Sequence, residues 1–321
     1  MSTQFYVPSR DGITQGLIGS WMECKQKARI FLQGYSSKYT SMALTYGTIG
    51  HAVLESVYQD IQSGALSLFP LPEDIKHYIT HVEKLWRKEN PRADKSALEY
   101  LEHSLLLAEA TLPKYFEYWS KDLKKMKWLN LEQGFKIPFE TRDGRKVFIR
   151  GKMDGVFEMN KKTWLFESKF KSQIVEANLV DTLSYDLQVL LYSWALYKLT
   201  GKVPAGVLYN IVRRSGMKQG AKETVGQYIE RCKKDIEKRP EYYFLRLEIS
   251  LTKGDIVMFE EELNDIVTDF LNWWEGKSGH YKNTGMCIGK YGQCRYLPIC
   301  SANNYNACAK REKVFNELED M

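Results

Sequence analysis

Several features that would fix a broad class are missing from this chain. No apolar run approaches the length of a bilayer span. No apolar stretch follows a basic start, so the expectation is that there is no signal peptide and no membrane partner. Internal repeats and low-complexity linkers are also lacking, which argues against a solenoid and against a chain of loosely tethered modules. Charge of one sign is not in large excess. Lys plus Arg number 46 against 40 Asp plus Glu, a formal charge of +6, which permits a nucleic-acid partner without demanding one. Two motif fragments are incomplete. Gly276-Lys277-Ser278 ends like a phosphate-binding loop, but Leu271 stands where such a loop needs glycine. His77 and His81 lack the glutamate of a metalloprotease helix and read as a solvated helix face.

What is present is more informative. The 321 residues suffice for one large domain with insertions. Aromatics are abundant, with 20 Tyr and 8 Trp, and suit base stacking as well as core packing. Six cysteines in a chain expected to be soluble and intracellular point to metal ligands or free thiols rather than disulfides. Cys24 stands alone near the start, while Cys287, Cys294 and Cys300 crowd the end. That spacing is wrong for a local zinc finger and right for a clasp joining the two ends of the chain. Cys232 reads as a bystander on a charged helix, and Cys308, close behind Cys300, as either an impostor or a substitute ligand.

The pattern along the chain predicts an α/β protein. A short helix and turn over 13–35 carry Cys24, and a helix starting near Tyr46 carries His51. Residues 64–130 read as a helical insertion, interrupted at Pro91 and Pro113. Strands follow at 135–141, 146–159 (kinked near Gly151 and Gly155) and 164–170, with Asp143-Gly144 as the hairpin turn between the first two. An apolar helix over 181–199, a strand over 205–212, a charged helix over 223–238, a strand over 243–251 and a helix over 254–274 precede the cysteine-rich tail. This divides a single composite domain into N-terminal helices (1–63), the insertion (64–130), a core (131–215) and a C-terminal region (216–321).

The chemistry lies in the hairpin. A turn at 160–162 sets Asp154 opposite Glu167 and Ser168, and the strand alternation turns Glu167 and Lys169 one way while Trp164, Phe166 and Phe170 turn the other. Asp154 and Glu167 can then hold one hard cation, Mg²⁺ or Mn²⁺, with Lys169 beside it to position water or stabilise a phosphoryl transition state. An exposed hairpin with Glu and Lys on its solvent face fits the same letters. His51 offers an imidazole to complete the site. Gln188 and Tyr192, four apart on one helix face with Tyr185 a turn earlier, offer hydrogen bonds to a phosphate or to the lysine. Arg213 and Arg214 end a strand at the expected site edge and are candidate phosphate contacts.

Together these residues resemble the PD-(D/E)XK nuclease superfamily, in particular its RecB-like branch with Cas4, the AddB nuclease domain and the exonuclease 5 group. Gly47-Thr48-Ile49-Gly50-His51 is similar to that branch's G-T-x-x-H helix, and Gly151-Lys152-Met153-Asp154 to its G-x-x-D strand. Glu167-Ser168-Lys169 is similar to E-x-K, Gln188 with Tyr192 to Q-x-x-x-Y, and Cys24 with the late trio to its iron–sulfur clasp. The resemblance implies a restriction-endonuclease-like core: a mixed central sheet flanked by helices, with a helical insertion and a Cys-clasped C-terminal region. It implies that His51, Asp154, Glu167 and the Ser168 carbonyl hold Mg²⁺ or Mn²⁺, that Lys169 is catalytic, and that Cys24, Cys287, Cys294 and Cys300 hold a [4Fe–4S] cluster, with zinc as the alternative.

The function expected is a metal-dependent deoxyribonuclease, an exonuclease on single-stranded DNA ends, cytoplasmic in a bacterial or phage-infected cell. Repair, recombination or phage DNA metabolism is its expected setting, with a helicase, recombinase or processing complex as partner. The rivals are a DNA-binding or scaffold protein that keeps the fold without cutting, and an endonuclease in a Cas4-like processing complex.

Overall fold

The computed structural model describes residues 5–38, 41–172, 176–289, 292–315 and 318. Its centre is a six-stranded mixed sheet formed by β1 (Ile13–Thr14), β2 (Lys127–Glu140), β3 (Lys146–Met159), β4 (Lys162–Lys171), β5 (Gly206–Arg213) and β6 (Phe244–Ser250). The long strand β3 lies between β2 on one side and β4 on the other, antiparallel to both. β5 runs parallel to β4, and β6 returns antiparallel to β5. β1 pairs parallel with the early part of β3, at Ile149 and Arg150.

Helices cover both faces, because both faces of the strands are apolar. On one side lie α1 (Gln15–Glu23) and α2 (Lys25–Leu32). Three helices on the opposite side, α3 (Met42–Ser63), α4 (Pro72–Glu89) and α5 (Lys95–Tyr118), come next in sequence. They are followed by α6 (Leu187–Thr200), α7 (Val225–Lys238) and α8 (Lys253–Trp274). Trp21, Trp194, Phe259 and Phe270 from α1, α6 and α8 pack on Phe135 and Ile149 of the sheet. Val53, Ala108 and Ile229 from α3, α5 and α7 pack with Phe157, Phe166 and Leu208.

Most elements lie where the pattern puts them, and the differences have physical causes. Pro113 does not interrupt α5. It removes one backbone donor, but its neighbours Leu112, Tyr115 and Phe116 are buried, and that packing outweighs the local loss. β2 starts at Lys127, inside the segment read as helical; a register shift between Trp128 and Asn130 hides the alternation there. The apolar helix starts at Leu187 rather than 181, because the Asp186 side chain caps it by accepting from the Gln188 and Val189 N–H groups at 2.9 and 3.1 Å. The N-terminal segment forms two helices rather than one, with Cys24 at their junction.

Gly50 sets how closely α3 rides on the sheet. A Cβ there would meet the Phe170 ring at 2.3 Å, well inside contact distance. In an open helix Gly→Ala stabilises by ~1 kcal/mol; here overpacking opposes that by ~1–3 kcal/mol. Gly50→Ala is therefore expected to lower the urea midpoint. A raised midpoint would show that the Phe170 ring yields freely and that α3 does not depend on this approach.

Candidate active site

β3 and β4 part company at the site. Their last backbone pair is Gly155 with Phe166; beyond it β3 keeps to β2 and β1, while β4 keeps to β5. Asp154 and Glu167 are the first residues past this fork. The Ser168 N–H has no β3 partner there, and a buried backbone donor must find one. It donates to Asp154 Oδ2 at 2.7 Å. Glycine makes room on the neighbouring strand, since a Cβ at Gly151 would strike the Phe135 ring at 2.6 Å and the Tyr192 ring at 3.1 Å.

From α3, His51 brings Nδ1 to 3.5 Å from Asp154 Oδ2, its ring edge-on to Phe170. From β4, Lys169 donates to Glu167 Oε1 and, at 2.8 Å, to Gln188 Oε1. Gln188 Nε2 closes the triangle by donating to Glu167 Oε1 at 2.9 Å. Gln188 holds this position because Asp186 fixes the start of α6. Tyr192 lies a turn along α6 and packs edge-on against Phe135.

The electrostatics follow from burial. Glu167 is 4% exposed; burial, and then repulsion from Asp154, raise its pKa to about 7 against the help of Lys169. Asp154 is raised mainly by burial, with the Ser168 N–H opposing. Burial is the largest influence on the Lys169 ammonium and disfavours it, but the charge and hydrogen bond of Glu167, with the charges of Asp154 and Asp186, together outweigh it and keep the lysine protonated. Burial also lowers His51, so its imidazole is neutral at pH 7, the form that binds metal.

Three further residues join this field. Lys152 pairs with Glu132 at 2.5 Å. Burial first, then Asp154 and Glu55, raise Glu132 to about 7 despite Lys152. Lys152 stands two residues before Asp154 and was open to notice. Glu132 was not, because it lies between the segment read as helical and the strand expected from 135, in a left-handed conformation with φ +47°. Glu55 follows His51 by one helical turn on α3.

Behind the fork runs a buried polar chain. Asn210, beside Ser168 on β5, donates to Ser168 Oγ at 3.1 Å. Its Oδ1 accepts from Tyr115 at 3.0 Å and from Arg246 Nε at 3.1 Å. Arg246 also donates to the Tyr115 hydroxyl at 2.9 Å, and that hydroxyl shares a 2.8 Å bond with Tyr58 of α3. The strand carrying Glu167 and Lys169 is thus tied to α3, α5 and β6 at once.

The peripheral candidates fare differently. Tyr185 is not on the helix face with Gln188. It sits in the short turn before α6, 80% exposed. Arg213 is buried, paired with Glu176 at 2.7 Å and stacked on Tyr242, so its guanidinium is not presented to a phosphate. Arg214 follows it, half-buried, with its N–H donated to the Lys171 carbonyl at 2.9 Å.

The four candidate cluster cysteines are near neighbours at one end of the molecule. Burial raises the Cys300 thiol; Lys282 opposes, while Cys294, Cys24 and Cys287 add to the rise. The Asn283 N–H donates to Cys24 Sγ at 3.4 Å, and the Cys294 N–H to the Cys287 carbonyl at 2.8 Å. Cys308 is buried with Tyr296 and Ile299, and Cys232 faces the core of α7 beside Ser215.

Among the described residues no group of three or more His, Cys, Asp or Glu side chains converges closely enough to enclose an ion. Glu167 is turned instead onto Lys169 and Gln188. The donor chemistry at the fork nonetheless suits a divalent cation: carboxylates raised by burial and mutual repulsion beside a neutral imidazole. For the cysteines, thiolate donors suit iron or zinc alike.

A buried carboxylate pair beside a lysine, at the fork of a mixed sheet, defines a class of phosphodiester-cleaving sites. Residues 21–301 match the profile of the PD-(D/E)XK nuclease superfamily, and the chain belongs to it. Its mixed α/β fold is of that family's restriction-endonuclease-like type. Among solved structures it is similar to a candidate exonuclease from Eubacterium rectale, at 13% identity and TM-score 0.49, covering 88% of this chain and 89% of that one. It is also similar to SSO0001, at 13% identity and TM-score 0.32, covering 90% and 95%. No curated protein matches it. No described helix is long and apolar enough to cross a membrane.

Two predictions follow from this geometry. Asn210→Leu leaves Ser168, Tyr115 and Arg246 without their shared partner and is expected to cost about 3 kcal/mol in urea denaturation. A loss under ~1 kcal/mol would mean the buried chain reorganises freely. The second concerns pH. In metal-free protein Glu167 and Glu132 sit near 7, above their ordinary ~4.3 in the unfolded chain. The folded state therefore keeps protons that the unfolded chain has released, and stability falls as pH rises through that window. His51 acts in the opposite sense, but only below its unfolded value of ~6.5. Calorimetry in EDTA should thus show the melting temperature falling from pH 6.5 to 8, and added Mn²⁺ should recover it at pH 8 by binding the folded state. A flat profile with no response to Mn²⁺ would contradict this.

Proposed function

We propose that this protein is a divalent-cation-dependent deoxyribonuclease that acts as an exonuclease on single-stranded DNA ends. The observation that carries the reading is the meeting of His51, Asp154 and Glu167 with Lys169 at the strand fork. His51, Asp154, Glu167 and the Ser168 carbonyl would hold Mg²⁺ or Mn²⁺. The bound ion supplies an acidified water and neutralises phosphate charge. Lys169 stays protonated and is aimed by Gln188, so it donates to the attacked phosphate and stabilises the charge that develops there. Asp154 is kept from swinging by the Ser168 N–H. Tyr192, packed edge-on against Phe135, offers a hydroxyl to a substrate phosphate. Tyr185, exposed just before α6, offers a ring for an unpaired base, which favours a single strand over a duplex. Arg214 is the remaining candidate phosphate contact.

The reading extends to Cys24, Cys287, Cys294 and Cys300 as the ligands of a [4Fe–4S] cluster; their mutual proximity around Cys300 supports it. After anaerobic purification, broad visible absorbance and about four irons per chain are expected, and Cys24→Ser should lose both and melt at lower temperature. A colourless protein with one zinc per chain would replace the cluster by zinc.

The activity test uses end-labelled oligonucleotides with Mn²⁺. Asp154→Ala and Lys169→Ala are each expected to lower the rate by ~100-fold or more. Undiminished cleavage by both variants would place the chemistry elsewhere. Circular single-stranded DNA should stay intact; its linearisation would make the enzyme an endonuclease.

A further inference from the structure

A cavity of about 540 Å³ opens where the two ends of the chain meet. Its wall includes Arg29 of α2, Tyr35, Trp274 at the end of α8, His280, Tyr305 and Lys310. None of its lining residues comes from β3, β4, α3 or α6, so it is separate from the fork. Its volume falls within the ordinary range for small-molecule sites.

The lining combines aromatic rings with cations and contains no carboxylate. A two-stranded ribbon, Tyr35–Ser37 against Cys308–Lys310, sets Lys310 opposite Tyr35. The Lys310 ammonium lies 3.4 Å from the centre of the Tyr35 ring and donates to the Gln33 carbonyl at 3.0 Å. The Tyr305 ring sits 5.1 Å from that of Tyr35. Arg29 makes no ion pair among the described residues. His280 Nδ1 is buried without a hydrogen-bond partner among them. Burial lowers the His280 imidazole, and the charges of Arg29 and Lys25 push it the same way, so positive potential gathers on this wall.

Each feature narrows the ligand. An apolar molecule would desolvate the Arg29 guanidinium, which has no ion pair among the described residues, and would leave the Lys310 ammonium with only the Gln33 carbonyl and the Tyr35 ring. A bare phosphate would satisfy the cations but leave the rings and most of the volume unused. A planar heterocycle joined to a phosphate answers both: the rings stack with the base, and the guanidinium and ammonium take the phosphate. We propose that this cavity binds a nucleoside monophosphate unit, either a free nucleotide or one nucleotide of a strand whose end lies at the fork.

The test uses the full-length protein in EDTA, where cleavage is silent. Titrated dAMP, followed by tryptophan fluorescence because Trp273 and Trp274 line the cavity, is expected to give a saturable change. Arg29→Glu and Lys310→Glu should each weaken it by ~10-fold, the scale of one charge-assisted bond. Tyr305→Ala should weaken it less, and Asp154→Ala should leave it unchanged. Inorganic phosphate and deoxyadenosine alone should bind at least ~10-fold more weakly than dAMP. A 5′-phosphorylated oligodeoxyadenylate distinguishes the sources. If its affinity falls in the same variants and dAMP competes with it, the strand is the ligand; if only dAMP binding falls, the free nucleotide is. Should Lys310→Glu fail to fold, the exposed Arg29→Glu carries the comparison alone. Unaltered binding of both dAMP and oligonucleotide in well-folded Arg29→Glu protein would overturn the proposal. So would loss of dAMP binding in Asp154→Ala, which would move the ligand to the fork. Because the readout is binding without metal, this result does not depend on whether the fork cleaves DNA.

Discussion

One hydrogen bond organises the centre of this protein: the Ser168 N–H to the Asp154 carboxylate, across the gap where β3 leaves β4. A sheet that stayed fully paired would have no room for chemistry between those strands. One that simply split would leave buried backbone groups unsatisfied. Using an acidic side chain to satisfy the first freed N–H resolves both demands. It also fixes that carboxylate next to Glu167 and within reach of His51 on α3. Gly50 and Gly151 then act as spacers, since a methyl group at either would clash with a ring packed beside the site, Phe170 for the first and Phe135 for the second.

The fork concentrates charge that the interior does not readily tolerate. Asp154, Glu167 and Glu132 all have raised pKa values, with burial the largest cause in each case. Lys169 and Lys152 offset part of that cost but lie to the sides. The arrangement holds because the strands beneath it cannot relax: Asn210, Tyr115, Tyr58 and Arg246 bind the back of β4 to β5, α5, α3 and β6. Such fully satisfied buried networks confer rigidity, whereas partly satisfied ones invite rearrangement. A site held together against its own repulsion gains most from a cation, so the stability expected to be lost at high pH and the suitability of the site for a divalent cation have one cause.

Much of the architecture was legible because the strands announce themselves. Asp143-Gly144 and the turn near Asn160 delimit β3 and β4, and their alternation sets Glu167 and Lys169 apart from Phe166 and Phe170. That pattern put Asp154, Glu167 and Lys169 within reach of one another before any coordinates, and helical spacing separately offered Gln188 as a partner for the lysine or a phosphate. Other features were out of reach for specific reasons. Glu132 sits in a left-handed conformation beyond a register shift, so no periodicity marks it. Tyr185 looked like part of α6 by spacing, but the Asp186 cap starts the helix after it. Arg213 reads as a candidate phosphate contact at a strand end until Glu176 and Tyr242, distant in sequence, are seen to cover it. Pro113 is tolerated through packing that only the fold reveals. Local rules thus succeeded where the determinants were local and failed where a partner came from elsewhere in the chain.

The joining of the chain ends illustrates a further dependence. Asn283 donates to the Glu23 carbonyl at 2.8 Å and to Cys24 Sγ, and Lys38 donates to the Asn306 carbonyl at 2.6 Å, pairs separated by 260, 259 and 268 residues. Closing loops of that length costs about 5 kcal/mol in chain entropy, comparable to the whole net stability of a modest domain. A few exposed hydrogen bonds cannot offset that alone. The ends are brought together instead by the core, where Trp21 of α1 meets Phe270 and Trp273 of α8. That packing is what holds the ribbon, the cysteines and the cationic cavity as neighbours. A metal centre on those thiols would then lock an arrangement the hydrophobic core has already selected, so its loss should loosen the tail and the cavity before it reaches the fork.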